Sequence, residues 1–396
     1  MDKKNNIAIV VVAYNRPDAL SRLLYTLNDV DYEGQSVPLI ISIDYSGNDS
    51  TFKAADAFLW RFGEKKIIRH ESNLGLKKHV LSCGDLVKDY DAVIILEDDL
   101  LVSPALYSYS SRAVEKYKND KNIAAISLYA KEYSETALKP FIPSASGADT
   151  YFIQTAESWG QVWMHDEWFR FREWYSTHSE TFSTAEDIPK NVREWDDKSW
   201  KKFHIWYCID QNKYTVYPYT ALTTCRGEEG EHVKNSMNTY QVPLLTDVLK
   251  EYRFAVFSDE KAVKYDAFLE RVLDDADTCL DDADTCIDLY GQKTCYDSYR
   301  YLITPKCMDY RIVETYGLML RPHEENILHK EKGSYFIKYD LSQAQKNRLV
   351  NKTETALQYY HYIVYQSATN MMTVKELVHH LFRIIKYRIK KKIRRR

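Results

Sequence analysis

The chain begins with a continuous apolar run that suits only a buried element. Ile7–Ala13 reads IAIVVVA, and most of its residues are β-branched. A run of this length and composition is typical of a strand that is covered on both faces, as in a parallel sheet. Asn15 and Arg16 follow the run, and Pro17 then suits the first turn of a helix that we expect to continue to Leu27.

The same alternation of strand and helix repeats through the first third of the chain. Apolar runs at Pro38–Ile43, Lys66–Arg69 and Ala92–Leu96 predict further strands, and Leu76–Lys88 predicts a helix. A fifth strand is expected at Ile123–Leu128. This alternation predicts an α/β fold with a doubly wound, mostly parallel sheet. In such sheets ligands bind outside the carboxyl ends of the strands.

Three consecutive carboxylates, Glu97, Asp98 and Asp99, follow the strand predicted at Ala92–Leu96. Clustered carboxylates repel each other and are costly to remove from water unless a cation pairs with them. Mn²⁺ or Mg²⁺ needs only one or two carboxylates, because waters and phosphate oxygens complete its shell. If the backbone stays extended, Glu97 and Asp99 point one way and Asp98 the other. Asn15 and Asp44 also follow predicted strands, so we expect a nucleotide and metal site at this edge, with Asn15 among its donor contacts.

Composition is that of an ordinary globular chain. Of the 396 residues, 45% are hydrophobic and 28% charged, which is enough apolar material for a core. The seven cysteines are odd in number and form no CxxC pair, which favours a reducing compartment and gives no zinc spacing. We find no signal-peptide pattern and no apolar run of about 18 residues, so we expect a cytoplasmic protein.

The C-terminal segment is strongly basic. Residues 381–396 contain nine Lys or Arg and no acidic residue. Apolar residues recur at steps of three and four from Val374 to Ile393, which predicts a basic amphipathic helix over 371–396. We expect it to attach the protein to an anionic membrane surface at the inner face, since each basic residue there contributes about 1 kcal/mol. No nucleic-acid module accompanies it, so no nucleic-acid partner is expected; a solvated terminal helix is the alternative.

The rest of the chain is less regular. The segment 131–240 is rich in loops and aromatic residues, and a helix is expected from Thr246 to about Leu273. Two identical copies of LDDADTC occupy 273–286, but they lack the glycine and the spacing of a calcium loop, so we favour a surface segment. The expected domains are an α/β domain at 1–240 with two parts, 1–130 and 131–240, a helical or mixed extension at 241–370, and the tail at 371–396.

Several segments between residues 13 and 232 together form a family pattern. They are AYNRP at 13–17, SIDYSG at 42–47, ILEDDLLVSPALYSY at 95–109, SWGQVWM at 158–164, WDD at 195–197 and, more loosely, YPYTALTTCRGEEGEH at 217–232. This pattern resembles the GT-A fold of glycosyltransferases that use nucleotide sugars. More narrowly, it is similar to the N-acetylglucosaminyltransferase I family and to related bacterial surface-glycan glycosyltransferases. The resemblance implies a GT-A fold, a UDP-linked sugar donor, and Mn²⁺ or Mg²⁺ as cofactor. It makes 1–240 the glycosyltransferase domain, with the nucleotide-sugar part at 1–130 and the acceptor part at 131–240.

The resemblance also implies roles for residues at the strand ends. Arg16, next to Asn15, would lie near the uridine or the phosphates of the donor. Asp44 would accept a hydrogen bond from the uracil ring, although a turn-capping aspartate is the alternative. Within the acidic triplet, Glu97 and Asp98 would contact the sugar and the ribose, and Asp99 would bind the metal.

The catalytic base is assigned through the WDD segment. In the family the aspartate directly after the tryptophan is the base, and here that residue is Asp196. A carboxylate within reach of the acceptor hydroxyl takes its proton as the oxygen attacks the anomeric carbon, and the resemblance implies that this displacement inverts the configuration. The chain departs from the family pattern after WDD, where KSW follows, so Asp197 and Glu157 stay open as alternatives.

Three further polar residues are candidates from their position. Asn73 could cap the following helix or line the donor pocket, and Lys78 could meet a phosphate or lie on a solvated helix face. His232 follows a glycine-rich GEEGE segment and could touch phosphate or metal, or be a solvated loop residue.

The expected function is therefore a metal-dependent, inverting glycosyltransferase. The acceptor would be a glycan or lipid-linked glycan in capsule, lipopolysaccharide or lipid-linked oligosaccharide synthesis, because the basic tail suggests a membrane-bound acceptor. One alternative is a sugar nucleotidyltransferase, which would normally carry a glycine-rich and basic first loop. The other is a non-catalytic glycan-binding protein on the same fold, for which uncompensated carboxylates would bring only a cost.

Overall fold

The computed structural model describes residues 5–227, 238–248, 251–273, 284–347 and 352–363, with isolated positions at Val378, Phe382, Ile385 and Lys386. The chain divides into two compact units, Met1–Arg300 and Tyr301–Arg396. His232, most of the LDDADTC repeat and, apart from the isolated positions, the predicted tail helix lie outside the described residues. None of the helices in the described residues is both long and apolar enough to cross a membrane.

The first unit alternates strands and helices over residues 7–127 and is less regular beyond them. Its strands are β1 (Ile7–Ala13), β2 (Leu39–Ile43), β3 (Lys65–Arg69), β4 (Ala92–Glu97), β5 (Leu100–Val102), β6 (Ile123–Ser127), β7 (Tyr133–Ser134), β8 (Lys139–Pro140), β9 (Thr150–Ile153), β10 (Gln161–Met164), β11 (Tyr214–Pro218), β12 (Thr223–Cys225), β13 (Lys264–Tyr265) and β14 (Thr285–Ile287). Its helices are α1 (Pro17–Leu27), α2 (Ser50–Ala57), α3 (Leu76–Gly84), α4 (Leu106–Tyr117), α5 (His165–His178), α6 (Lys190–Arg193) and α7 (Trp200–Asp210).

A nine-stranded sheet organises this unit, in the order β13-β9-β11-β6-β10-β4-β1-β2-β3. Parallel pairs join β1 to β2 and β4, β2 to β3, β6 to β11 and β9 to β13, whereas β10 runs antiparallel to β4 and β6, and β9 to β11. Alternate residues of β1 enter two different cores: Ile9 and Val11 pack into one, Val10 and Val12 into the other. The predicted doubly wound, mostly parallel α/β sheet is confirmed.

The elements that frame the acidic triplet follow the sequence pattern closely. Helix α1 begins at Pro17 and ends at Leu27, as predicted. Helix α3 ends at Gly84, before the predicted end, because the chain tightens into a 3₁₀ turn over Asp85–Asp89. Trp168 packs directly on Gly84, where an added Cβ would lie 2.1 Å from the Trp168 Cζ2 atom. This contact packs α5 against α3 on the face of the sheet to which Val10 and Val12 point.

The C-terminal region differs from the mainly helical extension that we expected. The described residues 251–273 contain β13 and no helix, and the first compact unit continues to Arg300, past the boundary expected at 240. In the second unit, β15 (Tyr301–Thr304), β17 (Phe336–Ala344) and β16 (Tyr310–Tyr316) pair antiparallel in that order, beside helices α8 (Glu325–Leu328) and α9 (Lys352–Ile363). The segment YRIVETY in β16 alternates half-buried and exposed side chains, which is the period of a strand.

Candidate active site

Parallel pairing of β1 and β4 assembles the acidic site. Val12 lies opposite Glu97 in this pair, so the two strands end at the same edge of the sheet. The chain turns at Asp98 and Asp99 before β5, which pairs with β12. Arg16 stands at the start of α1, directly after β1, and therefore meets the acidic turn. We call residues 97–99 the acidic turn below.

A single guanidinium bridges two carboxylates of the acidic turn. Arg16 donates from Nη1 to Asp99 Oδ2 at 2.9 Å and from Nη2 to Asp98 Oδ1. The backbone N–H of Tyr14 donates to Asp98 Oδ2 at 3.3 Å. The expected alternation of side chains does not occur, because residues 98–99 form a turn and both aspartates face Arg16. Arg16, which was expected near the uridine or the phosphates of the donor, is thus a direct partner of the acidic turn.

Burial and mutual repulsion shift the pKa values of the acidic turn. Loss of water raises the pKa of Glu97 to about 8, and the charges of Asp99 and Asp98 add to this shift. Burial also raises the pKa of Asp98 to about 6, with Arg16 acting in the opposite direction. For Arg16, burial alone would lower the pKa, but Asp98 and Asp99 outweigh it and raise the pKa. Arg16 alone therefore does not neutralise the negative charge of the acidic turn.

One oxygen of the acidic turn is suited to a metal ion. Asp99 Oδ1 is buried and has no hydrogen-bond partner, whereas Oδ2 is occupied by Arg16. Within the described ranges, no group of three or more His, Cys, Asp or Glu side chains is arranged to hold a metal. Mn²⁺ or Mg²⁺ does not need such a group, since one carboxylate with waters and phosphate oxygens is sufficient. Asp99 therefore fits the role of a single protein ligand to a divalent ion.

Asp44 organises the loop before α3. Its Oδ1 accepts from the backbone N–H groups of Tyr45 at 2.9 Å and Leu74 at 2.8 Å, and Oδ2 accepts from Gly75 at 3.0 Å. Asn73 donates from Nδ2 to the Tyr45 carbonyl at 2.9 Å. Asp44 and Asn73 thus hold the β2 end and the α3 entrance together, which is the structural alternative to their predicted donor contacts.

Two other candidates, Lys78 and Asn15, are exposed. Lys78 lies on the exposed face of α3, and Asn15 lies in the exposed segment between β1 and α1. Both therefore stay predictions, since an exposed side chain is compatible with a donor contact and with solvent alike.

Beside Asp44, sequence reasoning missed a polar group formed by Ser42, His70 and His79. The Ser42 hydroxyl lies 2.8 Å from His79 Nε2 and 3.3 Å from His70 Nε2. Burial lowers the pKa of His79 to about 4; Asp44 opposes this shift and His70 adds to it, so the imidazole is neutral near pH 7. Ser42 could have been found, because it precedes Asp44 by two residues and shares its face of β2.

The WDD segment lies in the loop between α6 and α7, and its two aspartates differ. Asp196 is exposed, and its Oδ1 accepts from the Lys198 backbone N–H at 2.8 Å, as in a turn. The carboxylate of Asp197, 86% exposed, pairs with the buried ammonium of Lys202 at 3.1 Å. Asp196 therefore has one oxygen free of this local turn bond, while Asp197 has a cationic partner.

Glu157 is fully buried between two lysines. Lys131 Nζ lies 3.2 Å from its Oε2, Lys201 Nζ lies 3.6 Å from its Oε1, and Tyr217 donates to Oε2 at 3.4 Å. Glu135 joins the same group through Lys131 at 3.5 Å and Lys201 at 3.3 Å. A general base must reach the acceptor hydroxyl, so this burial argues against Glu157 as the base.

Lys201 links this buried group to the aromatic residues and to the acidic turn, a connection absent from the sequence analysis. Its Nζ lies 5.3 Å from the ring centroid of Trp159 and 5.7 Å from that of Trp195. Its charge also acts on Glu97, where it opposes the rise in pKa that burial causes. For Glu135, burial would raise the pKa, but Lys201 and Lys131 hold it at about 2. No sequence signal marks Lys201, because the segment KSWKK is equally typical of a solvated helix start.

Replacing Lys131 with methionine is expected to destabilise the first unit. The change removes one cation beside the fully buried Glu157, and losing one partner of a buried ion pair costs about 3 kcal/mol or more. The control is Lys190→Met, which breaks the exposed pair with Glu194 at 3.7 Å and should cost less than about 1 kcal/mol. Urea denaturation compares the free energies of unfolding. Equal and small losses of unfolding free energy in the two variants would show that water reaches the carboxylate of Glu157.

One protein family matches part of the chain. Residues 8–172 match the model of the family described as Glycosyl transferase family 2. This range runs from β1 to α5 and includes the whole acidic turn. No match was found among curated proteins.

Solved structures with similar folds are distant. A mannosyltransferase from Pyrobaculum calidifontis, solved with GDP-Man and Mn²⁺, is 15% identical with a TM-score of 0.38; the alignment covers 58% of this chain and 60% of that one. S. aureus TarS 1–349 with UDP-GlcNAc is 12% identical with a TM-score of 0.38 and the same coverages. GalNAc-T7 with UDP, GalNAc and Mn²⁺ is 14% identical with a TM-score of 0.37, covering 55% and 43%. The chain thus spans less than two thirds of the length of each of these proteins.

The family match and the sheet lead to one conclusion. Over residues 8–172 the chain is similar to glycosyl transferase family 2, and its mostly parallel α/β sheet is that of the GT-A fold.

Proposed function

We propose that this protein is a metal-dependent glycosyltransferase that uses a nucleotide diphosphate sugar, with UDP as the nucleotide. The observation that carries the proposal is the buried, unpartnered Oδ1 of Asp99 at the carboxyl edge of a parallel sheet. A divalent ion at Asp99 would balance the negative charge that Arg16 alone balances incompletely, and its remaining positions would bind the oxygens of a diphosphate. The match of residues 8–172 to a glycosyltransferase family supports the same reaction class.

The residues of the site divide the reaction between them. Asp99 would hold the divalent ion, which when bound neutralises the diphosphate leaving group as a Lewis acid. Arg16 would add a second positive charge near the phosphates, and Asp44 would contact the base of the nucleotide. Asp196 would take the proton of the acceptor hydroxyl as it attacks, and direct displacement would invert the anomeric carbon.

The acceptor side is proposed from the aromatic residues and the tail. Trp159 and Tyr240 pack together at 4.7 Å between ring centroids and are both half-buried, so part of each ring surface is open to a sugar. We propose a glycan or lipid-linked glycan acceptor of surface polysaccharide synthesis, reached from the inner membrane face through the basic tail. The narrower likeness to the N-acetylglucosaminyltransferase I family belongs to this proposal.

A nucleotide panel tests the proposal on the full chain. UDP, GDP, ADP and UTP are added with Mn²⁺ or with EDTA, and the thermal midpoint of unfolding is measured. UDP at about 100 times its Kd should raise the midpoint by about 5 °C with Mn²⁺ and not with EDTA. A larger shift with UTP than with UDP would favour a nucleotidyltransferase. No shift with any nucleotide would favour a glycan-binding protein without catalysis.

A further inference from the structure

The contact between Arg16 and the acidic turn lies beside the oxygen at which a metal ion is expected. Arg16 Nη1 lies 2.9 Å from Asp99 Oδ2, so one of the two oxygens of this carboxylate is already neutralised. The other oxygen, Oδ1, is buried without a partner. A divalent ion bound at Asp99 would therefore sit close to a guanidinium of the same sign of charge, and the two would repel.

The two halves of the Arg16 bridge differ in how firmly they are held. The side chain of Asp98 is 2% exposed and also accepts from the Tyr14 backbone, so its position is fixed from two sides. The side chain of Asp99 is 18% exposed, and the Arg16 side chain is 31% exposed. Rotation of Arg16 away from Asp99 thus has room toward solvent, whereas the Asp98 end is enclosed. Asp99 is the end of the bridge that can exchange.

We propose that Arg16 is a counter-ion that a divalent metal displaces from Asp99. Only the later role of Arg16, binding the diphosphate, rests on the proposed function. Without metal, the guanidinium keeps the repelling carboxylates of the acidic turn together. When the metal takes Asp99, Arg16 is released at the same edge of the sheet as the diphosphate. Its planar fork suits two phosphate oxygens. Arg16 therefore weakens the binding of metal alone and strengthens the binding of metal with nucleotide.

Opposite shifts of two affinities are the signature of this exchange. If Asp99 is free of Arg16 for only about a tenth of the time, removing the arginine tightens metal binding about tenfold. The same removal takes a charged hydrogen-bond donor from the diphosphate and weakens UDP binding about tenfold at saturating Mn²⁺. A residue that merely braced the acidic turn would weaken both, because its loss would loosen the site.

Arg16→Gln tests the exchange on the full chain, with Mn²⁺ alone as the first probe. Calorimetric titration or the free-ion electron paramagnetic resonance signal measures the Kd of Mn²⁺ without nucleotide. We expect it to fall about tenfold. The matched control is Arg61→Gln, which removes the same charge from an exposed position and should leave the Kd unchanged. Arg16→Gln with Asp99→Asn should lose the gain, since the gain requires the Asp99 carboxylate.

Arg16→Lys covers the case in which Arg16→Gln does not fold. Lysine keeps the charge but loses the bidentate fork, and we expect the Kd of Mn²⁺ to fall about threefold. An unchanged or increased Kd in either folded variant would overturn the exchange and make Arg16 a brace. Because Mn²⁺ alone is titrated, the result stands whether or not UDP binds. Tighter Mn²⁺ binding without any nucleotide binding would uphold the exchange and reject the proposed function.

Discussion

Asp99→Asn is expected to lower sugar transfer from a UDP-sugar about a thousandfold or more in kcat/KM. The amide keeps the shape of the side chain but removes the charge that would bind the divalent ion. A bound metal stabilises the charge that develops on a phosphoryl leaving group by several kcal/mol, and about 4 kcal/mol corresponds to a factor of a thousand in rate. Mn²⁺-dependent binding of UDP should be lost together with activity, so the defect appears in a binding measurement as well as in turnover.

The control for this change is Asp89→Asn, at an exposed aspartate in the 3₁₀ turn after α3, away from the carboxyl edge of the sheet. It should retain activity and Mn²⁺-dependent UDP binding. The Asp99 variant should also unfold at a similar urea concentration, because the substitution relieves repulsion within the acidic turn. If kcat/KM of Asp99→Asn stays within about threefold of the parent, a metal bound by this carboxylate does not lower the activation barrier.

The sheet that carries the acidic turn could be predicted because its strands leave a strong local signal. Ile7–Ala13 and Ala92–Glu97 are apolar and buried almost throughout, and such runs are typical of parallel strands covered on both faces. Their carboxyl ends then had to share an edge, so Asp44 and the acidic turn were placed correctly at strand ends. Helix α1 was predicted for an equally local reason, the proline at its first position.

What the sequence could not predict is the pairing of charged side chains across the fold. Arg16 and Asp99 are 83 residues apart, and their contact depends on which strand lies next to β1. The burial of Glu157 between Lys131 and Lys201 joins three separate segments, none with a local signature. The strands of the C-terminal unit were missed for another reason: β16 has the charged Glu314 at a half-buried position and the apolar Val313 at an exposed one, so its period of two is weak as a hydrophobic pattern.

Asp196→Asn is expected to lower kcat about a hundredfold to ten-thousandfold while leaving Mn²⁺-dependent UDP binding unchanged. An exposed carboxylate with one oxygen outside its turn bond can approach an acceptor hydroxyl, and its loss removes the proton acceptor but no donor contact. The KM for the donor should therefore change little. Steady-state kinetics with a saturating acceptor, together with UDP titration, separates this effect from damage to the metal site.

Asp197→Asn gives the decisive comparison, because it makes the same chemical change one residue further on. Its carboxylate pairs with Lys202 at 3.1 Å and is 86% exposed, so the pair is weak and its loss should change kcat less than about threefold. If the order is reversed, with Asp197→Asn the damaging change, Asp197 is the base and Lys202 orients it. If both variants retain kcat, the proton leaves through another group, and the alignment of WDD with the base of the N-acetylglucosaminyltransferase I family does not apply to this chain.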